Sequence, residues 1–379
     1  MLVIALTVLG SAHYYLWARL VRDAGWPQAV QTGATLFIAF LGVGMITSLI
    51  LRRRSQRRFG GLLATMLYGW MGVGLLLITA LGSVDLLRLL FGVARALGVS
   101  GGPFAQPLDH RTPALVAGAL GLMLSLIAVR EGTRPPRLVR VAVPVPKLPS
   151  AVAGLRILQI SDLHIGATLD RRFLERVVAR INEQNPDVVA ITGDLVDGSV
   201  ASLADHVSPL RSLRARYGVY FVPGNHDHYA GLEPWLVHLT GLGIRVLRND
   251  SVVVGEGDGA FVIAGVDDPT GRRTGNGGPD LSAALAGRPA GLPVILLAHQ
   301  PGEFDEAAGA GVALQLSGHT HGGQIFPFSF IVSLFQRYMA GLYRRGDSHL
   351  YVSRGTGFWG PPLRLGAPSE ITELQLATA

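Results

Sequence analysis

Hydrophobic positions follow two different rhythms along this chain, and the change comes near residue 150. Residues 2–18, 32–51, 62–81 and 113–129 are four nearly continuous apolar runs. Each is near the ~20 residues that a helix needs to cross a bilayer, the first and last being short. Gly42, Gly44, Gly72, Gly74, Gly118 and Gly121 interrupt them, a poor choice for helices in water but one that lets helices pack closely in lipid. Trp17, Trp26, Tyr14, Tyr15, Tyr68 and Trp70 lie near the run ends, where an aromatic belt is expected, although packing between helices would also use them. Residues 1–132 therefore read as an all-α transmembrane domain of about four helices. The stretch 84–97 is either an amphipathic surface helix or an extension of the third span.

Residues 133–150 contain Pro135, Pro136, Pro144, Pro146 and Pro149 and read as a semi-rigid linker. Beyond it, 155–161, 188–192 and 219–223 have the pattern of buried strands. Between them, 171–184 places Phe173, Leu174, Val177, Val178 and Ile181 on one helical face, and a second helix is expected over about 202–216. This β-α-β-α-β rhythm implies right-handed crossovers and a largely parallel sheet. After residue 243 come short strands joined by polar turns, then 293–298, 312–317, 350–354 and 370–376. Two sheets packed face to face with helices outside fit that order over 151–379.

Charge separates the two regions again. Residues 1–150 hold 15 Lys/Arg against 4 Asp/Glu, a net +11; residues 151–379 hold 18 against 22, a net −4. The mild acidity of the second region is the opposite of what a nucleic-acid enzyme usually shows, so no nucleic-acid partner is expected. The Arg-rich stretch 52–58 sits between two apolar runs, and the positive-inside bias puts it in the cytoplasm. With four spans, both termini and the 151–379 domain are then cytoplasmic, in an integral membrane protein. The chain has no cysteine, which excludes disulfides and thiolate chemistry.

Chemistry-bearing residues stand just beyond the short apolar runs. The blocks are I-S-D-L-H (160–164), T-G-D (192–194), P-G-N-H-D (223–227), A-H-Q (298–300) and S-G-H-T-H-G-G-Q (317–324). A parallel sheet gathers its strand ends on one edge, so these blocks can converge. Asp162, His164, Asp194, Asn225, His299, His319 and His321 are the candidate metal ligands. Oxygen and imidazole donors without thiolate suit one or two borderline divalent ions, such as manganese, iron or zinc.

The five ordered blocks resemble those of the calcineurin-like metallophosphoesterase superfamily, in its bacterial membrane-associated branch with G-H-T-H-G-G-Q. The resemblance covers roughly the last 220 residues and implies a four-layer α-β-β-α sandwich. It further implies two divalent metal ions, which clamp a phosphoryl group and lower the pKa of a bridging water that then attacks. Carried over by position, one ion has Asp162, His164, Asp194 and His321; the other has Asp194, Asn225, His299 and His319. Asp194 bridges. His226 would donate a hydrogen bond to the phosphoryl or leaving-group oxygen, with Asp227 holding its ring.

The expected activity is hydrolysis of a phosphate ester or pyrophosphate. Residues 325–343 carry too many large apolar groups for a solvated loop, and either cover the core or form an apolar rim that meets membrane or an acyl chain. Related proteins include hydrolases of lipid A precursors, so the substrate expectation extends to a lipid-linked, UDP-diacylglucosamine-like pyrophosphate. Two rivals are a nuclease-type phosphodiesterase and a catalytically silent membrane sensor or scaffold. Arg354 would pair with substrate phosphate or with a structural carboxylate.

Overall fold

A computed structural model describes residues 2–51, 59–99, 111–146 and 148–378. The Arg-rich stretch 52–58, on which the orientation argument rests, lies outside the described residues. The chain divides into two compact units, one comprising Met1–Arg130 with Gly360–Leu363 and the other Glu131–Trp359 with Arg364–Ala379.

The first unit is helical: α1 Leu2–Trp17, continued by a π-helical turn Ala18–Arg22, α2 Gln28–Leu51, α3 Phe59–Ala96 and α4 Arg111–Thr133. Many of its large apolar side chains point outward, with Leu36, Phe40, Val43, Leu122 and Leu126 exposed, while small Ala80 and Ala117 are buried beside Leu16 and Leu81. That inversion suits a lipid solvent, in which close contact between small residues replaces a hydrophobic driving force. At Gly121 an added Cβ would come within 3.2 Å of the Leu77 Cα, so the glycine sets how near α3 and α4 approach. The expected four helices are present as α1 to α4. Among the described residues three helices are long and apolar enough to cross a membrane, within α2, α3 and α4. The α-helical part of α1 stops after 16 residues. Residues 84–97 continue the third span as one helix almost to their end, rather than forming a separate surface helix.

The second unit has twelve strands in two sheets. They are β1 Arg137–Val145, β2 Arg156–Ile160, β3 Val188–Thr192, β4 Val219–Val222, β5 Arg245–Val246, β6 Asp250–Val254, β7 Phe261–Gly265, β8 Val294–Leu297, β9 Leu314–Ser317, β10 Gly341–Arg345, β11 Ser348–Val352 and β12 Glu370–Thr378. The orders are β1-β12-β2-β3-β4-β5 and β10-β11-β9-β8-β7-β6. Strands β2, β3 and β4 run parallel side by side, as do β7, β8 and β9.

Alternation along each strand builds the layers. Ile157, Val188, Tyr220 and Leu374 face Phe261, Ile295, Leu314 and Leu316 across the central layer. Leu158, Ile160, Val189 and Ile191 turn the other way, under α5 Arg171–Asn182, α6 Val200–Val207 and α7 Asn225–Gly241. On the far side, after the short α8 Gly271–Thr274, Val262, Ala264, Val294 and Leu296 pack beneath α9 Leu281–Ala284 and α10 Phe304–Gly309, chiefly through Leu281, Ala284 and Ala307. This is the expected four-layer α-β-β-α sandwich. Helix α5 shows its local causes clearly: Asp170 accepts from the Phe173 amide as N-cap, and Leu174, Val177, Val178 and Ile181 are buried. The helix expected over 202–216 stops earlier, giving way to a 3-10 turn at Ser208–Ser212, where Pro209 cannot supply the next helical N–H.

Residues 137–145, expected to be linker, form β1 and pair in parallel with β12 over nine residue pairs. The prolines misdirect here. Pro144 sits on an edge strand, the one place in a sheet where a missing N–H is tolerated, and Val143 and Val145 bury their side chains in the central layer.

Candidate metal centre

Each candidate ligand follows the carboxyl end of one of these parallel strands. Asp162 and His164 come after β2, Asp194 after β3 and Asn225 after β4; His299 follows β8, and His319 and His321 follow β9. Hydrogen bonds between the loops fix their spacing: the Asp162 amide donates to the Gly193 carbonyl and the His164 amide to the Asp194 carbonyl, each at 3.0 Å. The backbone is bent to aim the side chains. Asp162, His164, Asp194, His319 and His321 have φ between 46° and 71°, a left-handed conformation that non-glycine residues seldom adopt outside turns or functional sites. At Gly318 an added Cβ would overlap Ser161 Oγ and the Asp162 carboxylate, so only glycine lets the two sheets meet here.

Two clusters of donors result. Asp162, His164 and His321 form one; Asp194, His299 and His319 form the other, with the ligand atoms of each cluster all within 4.8 Å of one another. In the first, His164 Nε2 lies 3.1 Å from His321 Nε2, and His321 Nε2 lies 3.4 Å from Asp162 Oδ1. In the second, His299 Nε2 lies 3.3 Å from Asp194 Oδ2, and His319 Nδ1 is 3.0 Å from Asn225 Oδ1. Asp194 Oδ2 is also 3.7 Å from His164 Nε2, so this carboxylate faces both clusters. All seven candidates converge.

The donor set calls for positive charge. His299 Nδ1 donates to the Thr192 carbonyl at 2.7 Å, and its buried Nε2 has no hydrogen-bond partner. A neutral ring would point that lone pair at the Asp194 carboxylate, so a proton or a cation must stand between them. Burial opposes the charged form of His164, yet Asp197, Asp194 and Asp162 push it up to about 9. Burial also works against ionised Asp194, but His299, His164 and His226 hold it well below the usual carboxylate range. His321 is held well below the ordinary histidine value by burial, His164 and the Arg364 guanidinium, which keeps it in the neutral form that metal ligation requires.

His226 lies beside the clusters at the start of α7, with its amide bonded to Asp194 Oδ1 at 2.7 Å and its side chain one-fifth exposed. Its ring partner is not the expected one. Asp227 accepts from the amides of Leu195, Val196 and Gly224, tying the loops after β3 and β4 together, and makes no hydrogen bond to His226. It sits in the first turn of α7 and reaches back to the preceding amide, as a helix-capping carboxylate does. Asp197 supplies the contact instead: its Oδ1 lies 2.6 Å from His226 Nδ1 and 3.2 Å from His164 Nδ1. The signal was available in G-D-L-V-D-G (193–198), where a second Asp follows Asp194 by three residues in the same loop.

Two other residues escaped the sequence reading. Arg364, wholly buried, donates to the carbonyls of Gly357 and Ala367 and places Nη2 3.3 Å from His321 Nδ1. Gln324 exchanges two 3.0 Å hydrogen bonds with the Trp359 backbone, and the Trp359 ring stands edge-on to His226 with centroids 5.8 Å apart. Arg354 takes the structural alternative, pairing with Glu370 at 3.2 Å. His228 is buried against Asp267 at 2.9 Å.

Residues 155–323 match the family described as calcineurin-like phosphoesterase. Along 99% of its length the chain is 34% identical to a Danio rerio transmembrane protein with metallophosphoesterase domain, covering 88% of that protein. The chain belongs to the calcineurin-like phosphoesterase family. A Helicobacter pylori uncharacterized metallophosphoesterase is 39% identical over 68% of this chain and 70% of its own length. A Bos taurus transmembrane protein with metallophosphoesterase domain is also 39% identical, over 72% of this chain and 65% of its own. The sequence resemblance is thus borne out at the level of the superfamily, and the chain is a membrane-associated, metal-dependent phosphoesterase.

Proposed function

We propose that this calcineurin-like phosphoesterase holds two divalent ions and hydrolyses a lipid-linked phosphate ester or pyrophosphate. The observation that carries the metal reading is the partnerless, buried Nε2 of His299 facing Asp194. Asp162, His164, Asp194 and His321 would hold one ion, and Asp194, Asn225, His299 and His319 the other, with Asp194 shared. Such ions supply charge stabilisation for the phosphoryl oxygens and a water of lowered pKa. Sharing one carboxylate between them lessens the repulsion of two neighbouring dications.

The remaining work falls to His226. With Nδ1 bound to Asp197, its Nε2 is the atom left to hand a proton to the departing oxygen. Asp197 holds the ring in place. Trp359 beside it narrows the space available to the leaving group. Asp227 supports this arrangement from below by fixing two of the ligand loops.

The lipid-linked substrate, with a UDP-diacylglucosamine-like pyrophosphate as its sharpest form, is supported by the three membrane-length helices and by the apolar residues that follow His321. The cytoplasmic reading of the second unit does not depend on whether α1 spans, although that of the N-terminus does. Two membrane-length helices separate 52–58 from Arg130 and Arg134, so both basic stretches fall on one side whatever α1 does. That side is cytoplasmic by the positive-inside bias.

Full-length protein in nanodiscs, supplied with Mn2+, should cleave lipid-linked pyrophosphate faster than aryl phosphate or bis-aryl phosphodiester. Cleavage of the soluble esters alone would remove the lipid-linked substrate and leave the metal reading intact. No cleavage of any ester by metal-loaded protein would overturn both.

A further inference from the structure

Helix α11, Phe328–Phe335, begins seven residues after His321, and none of its eight residues is buried. Phe330, Ile331, Leu334 and Phe335 are 65%, 50%, 80% and 82% exposed. At i, i+1, i+4 and i+5 they share one face of a helix. Four large apolar groups side by side at such exposure are not a core-covering arrangement, and a water-facing helix of this composition would be unfavourable.

The helix is nevertheless firmly mounted. Gly323, at φ +80°, lies so close to Ser329 that an added Cβ would overlap its Cα. Ile325 is buried, and the Phe326 amide donates to the Leu365 carbonyl at 2.9 Å. Beyond the helix, Thr320 Oγ1 donates to the Met339 carbonyl, closing the segment back onto the ligand turn. The exposed face is therefore held in place by Thr320, between the two histidines, and by Gly323, Ile325 and Phe326 just after them.

We propose that α11 is an interfacial helix that inserts Phe330, Ile331, Leu334 and Phe335 into the surface of an anionic lipid bilayer. Three observations commit the face to a bilayer. The same chain carries three membrane-length helices, so a bilayer is always within reach. The four side chains lie together on one face of a helix, each at least half exposed. Arg337, Arg344 and Arg345 follow closely, and the first and last share one carboxylate, Asp305, leaving the segment net positive toward anionic headgroups. Docking of this kind joins the lipid surface to the turn that bears His319 and His321. It holds whether or not the scissile bond belongs to a lipid.

Because the chain contains no cysteine, single-site labelling is clean. Full-length Leu334→Cys, Phe335→Cys and, as a reference in a polar turn, Asp258→Cys would each carry an environment-sensitive fluorophore. They would be placed in nanodiscs of phosphatidylcholine and phosphatidylglycerol, one protein per disc. The α11 labels should emit to the blue of the reference and lose about half their intensity when nitroxide-labelled lipid is included, as expected for side chains at the acyl boundary. Emission and quenching equal to the reference would overturn the proposal. So would cross-linking of Leu334→Cys to a second copy in discs loaded with two, which would make the face a dimer contact. Neither readout uses activity, so failure here is distinct from failure of the substrate reading.

Discussion

Asp197 Oδ1 stands 2.6 Å from His226 Nδ1 and 3.2 Å from His164 Nδ1. One carboxylate thus steadies a ring that faces solvent and a ring that faces the metal cradle. Its own pKa is held well below the usual range; burial opposes this, but His164 and His226 outweigh it. Asp197→Asn should lower kcat on an aryl phosphate about 100-fold with KM nearly unchanged, the scale of one general acid-base contribution. His226→Ala should lower kcat at least as much, and the double variant should add little. Metal content measured by mass spectrometry separates this from disruption of His164: metal content equal to the parent's with lost turnover supports a positioning role, and reduced metal content argues against it.

Metal removal should be read in stability as well as in rate. A divalent ion held by these side chains binds the folded site and not the unfolded chain, so it adds to stability. Excess Mn2+ should raise the unfolding midpoint, by about 2.7 kcal/mol of added stability when the ion is at 100 times its Kd. Asp194→Ala removes the carboxylate that faces both clusters, so this variant should show no such rise and no activity. A full Mn2+-dependent shift in Asp194→Ala would contradict the shared-ligand assignment.

Much of this was legible because strand ends and ligand blocks coincide. Runs such as V-V-A-I-T ending in G-D announce both a buried strand and what it delivers. The contributions that were not legible come from contacts distant in sequence. The pairing of β1 with β12 joins Arg137 to Glu370, and nothing local to 133–150 signals it. The choice between Asp197 and Asp227 as partner for His226 depends on which loop folds back over α7, although both residues sit at plausible spacings. Arg364 looks like an ordinary surface residue until its guanidinium is found among backbone carbonyls. Whether α1 spans turns on a few residues at its end.

The β1 pairing makes a prediction about where the second unit begins. Arg140 and Arg156 both pair with Glu373 of β12, at 3.3 and 2.8 Å, and Val143 and Val145 close the central layer. A fragment starting at Glu131 should be soluble and monodisperse. One starting at Pro149 should expose the β12 edge and aggregate, since an unpaired apolar strand edge templates association. Equal behaviour of the two fragments by size-exclusion chromatography would restore 133–150 to the status of a linker.

Asp227 should behave as a structural carboxylate. It satisfies three buried amides, and Asp227→Ala leaves them without partners, costing on the order of 3 kcal/mol or more. Chemical denaturation should show that loss. A variant as stable as the parent but catalytically dead would return Asp227 to the role of holding His226.

Glu303, not itself a candidate ligand, offers a pH signature. Its Oε2 is buried without a hydrogen-bond partner, and burial, with the Asp268 carboxylate nearby, pushes it up from 4.5 to about 7. A raised folded-state pKa means that the unfolded chain gives up this proton first. The stability tied to the neutral carboxyl is therefore complete below pH 4.5 and is lost as pH rises through about 7, by at most about 3 kcal/mol. Glu303→Gln keeps the shape without the titration. In chelator, its unfolding midpoint should fall less than that of the parent between pH 5 and pH 8, with the variant the more stable of the two at pH 8. Parallel pH profiles would mean that water or a shifted side chain already solvates Glu303 in the folded state.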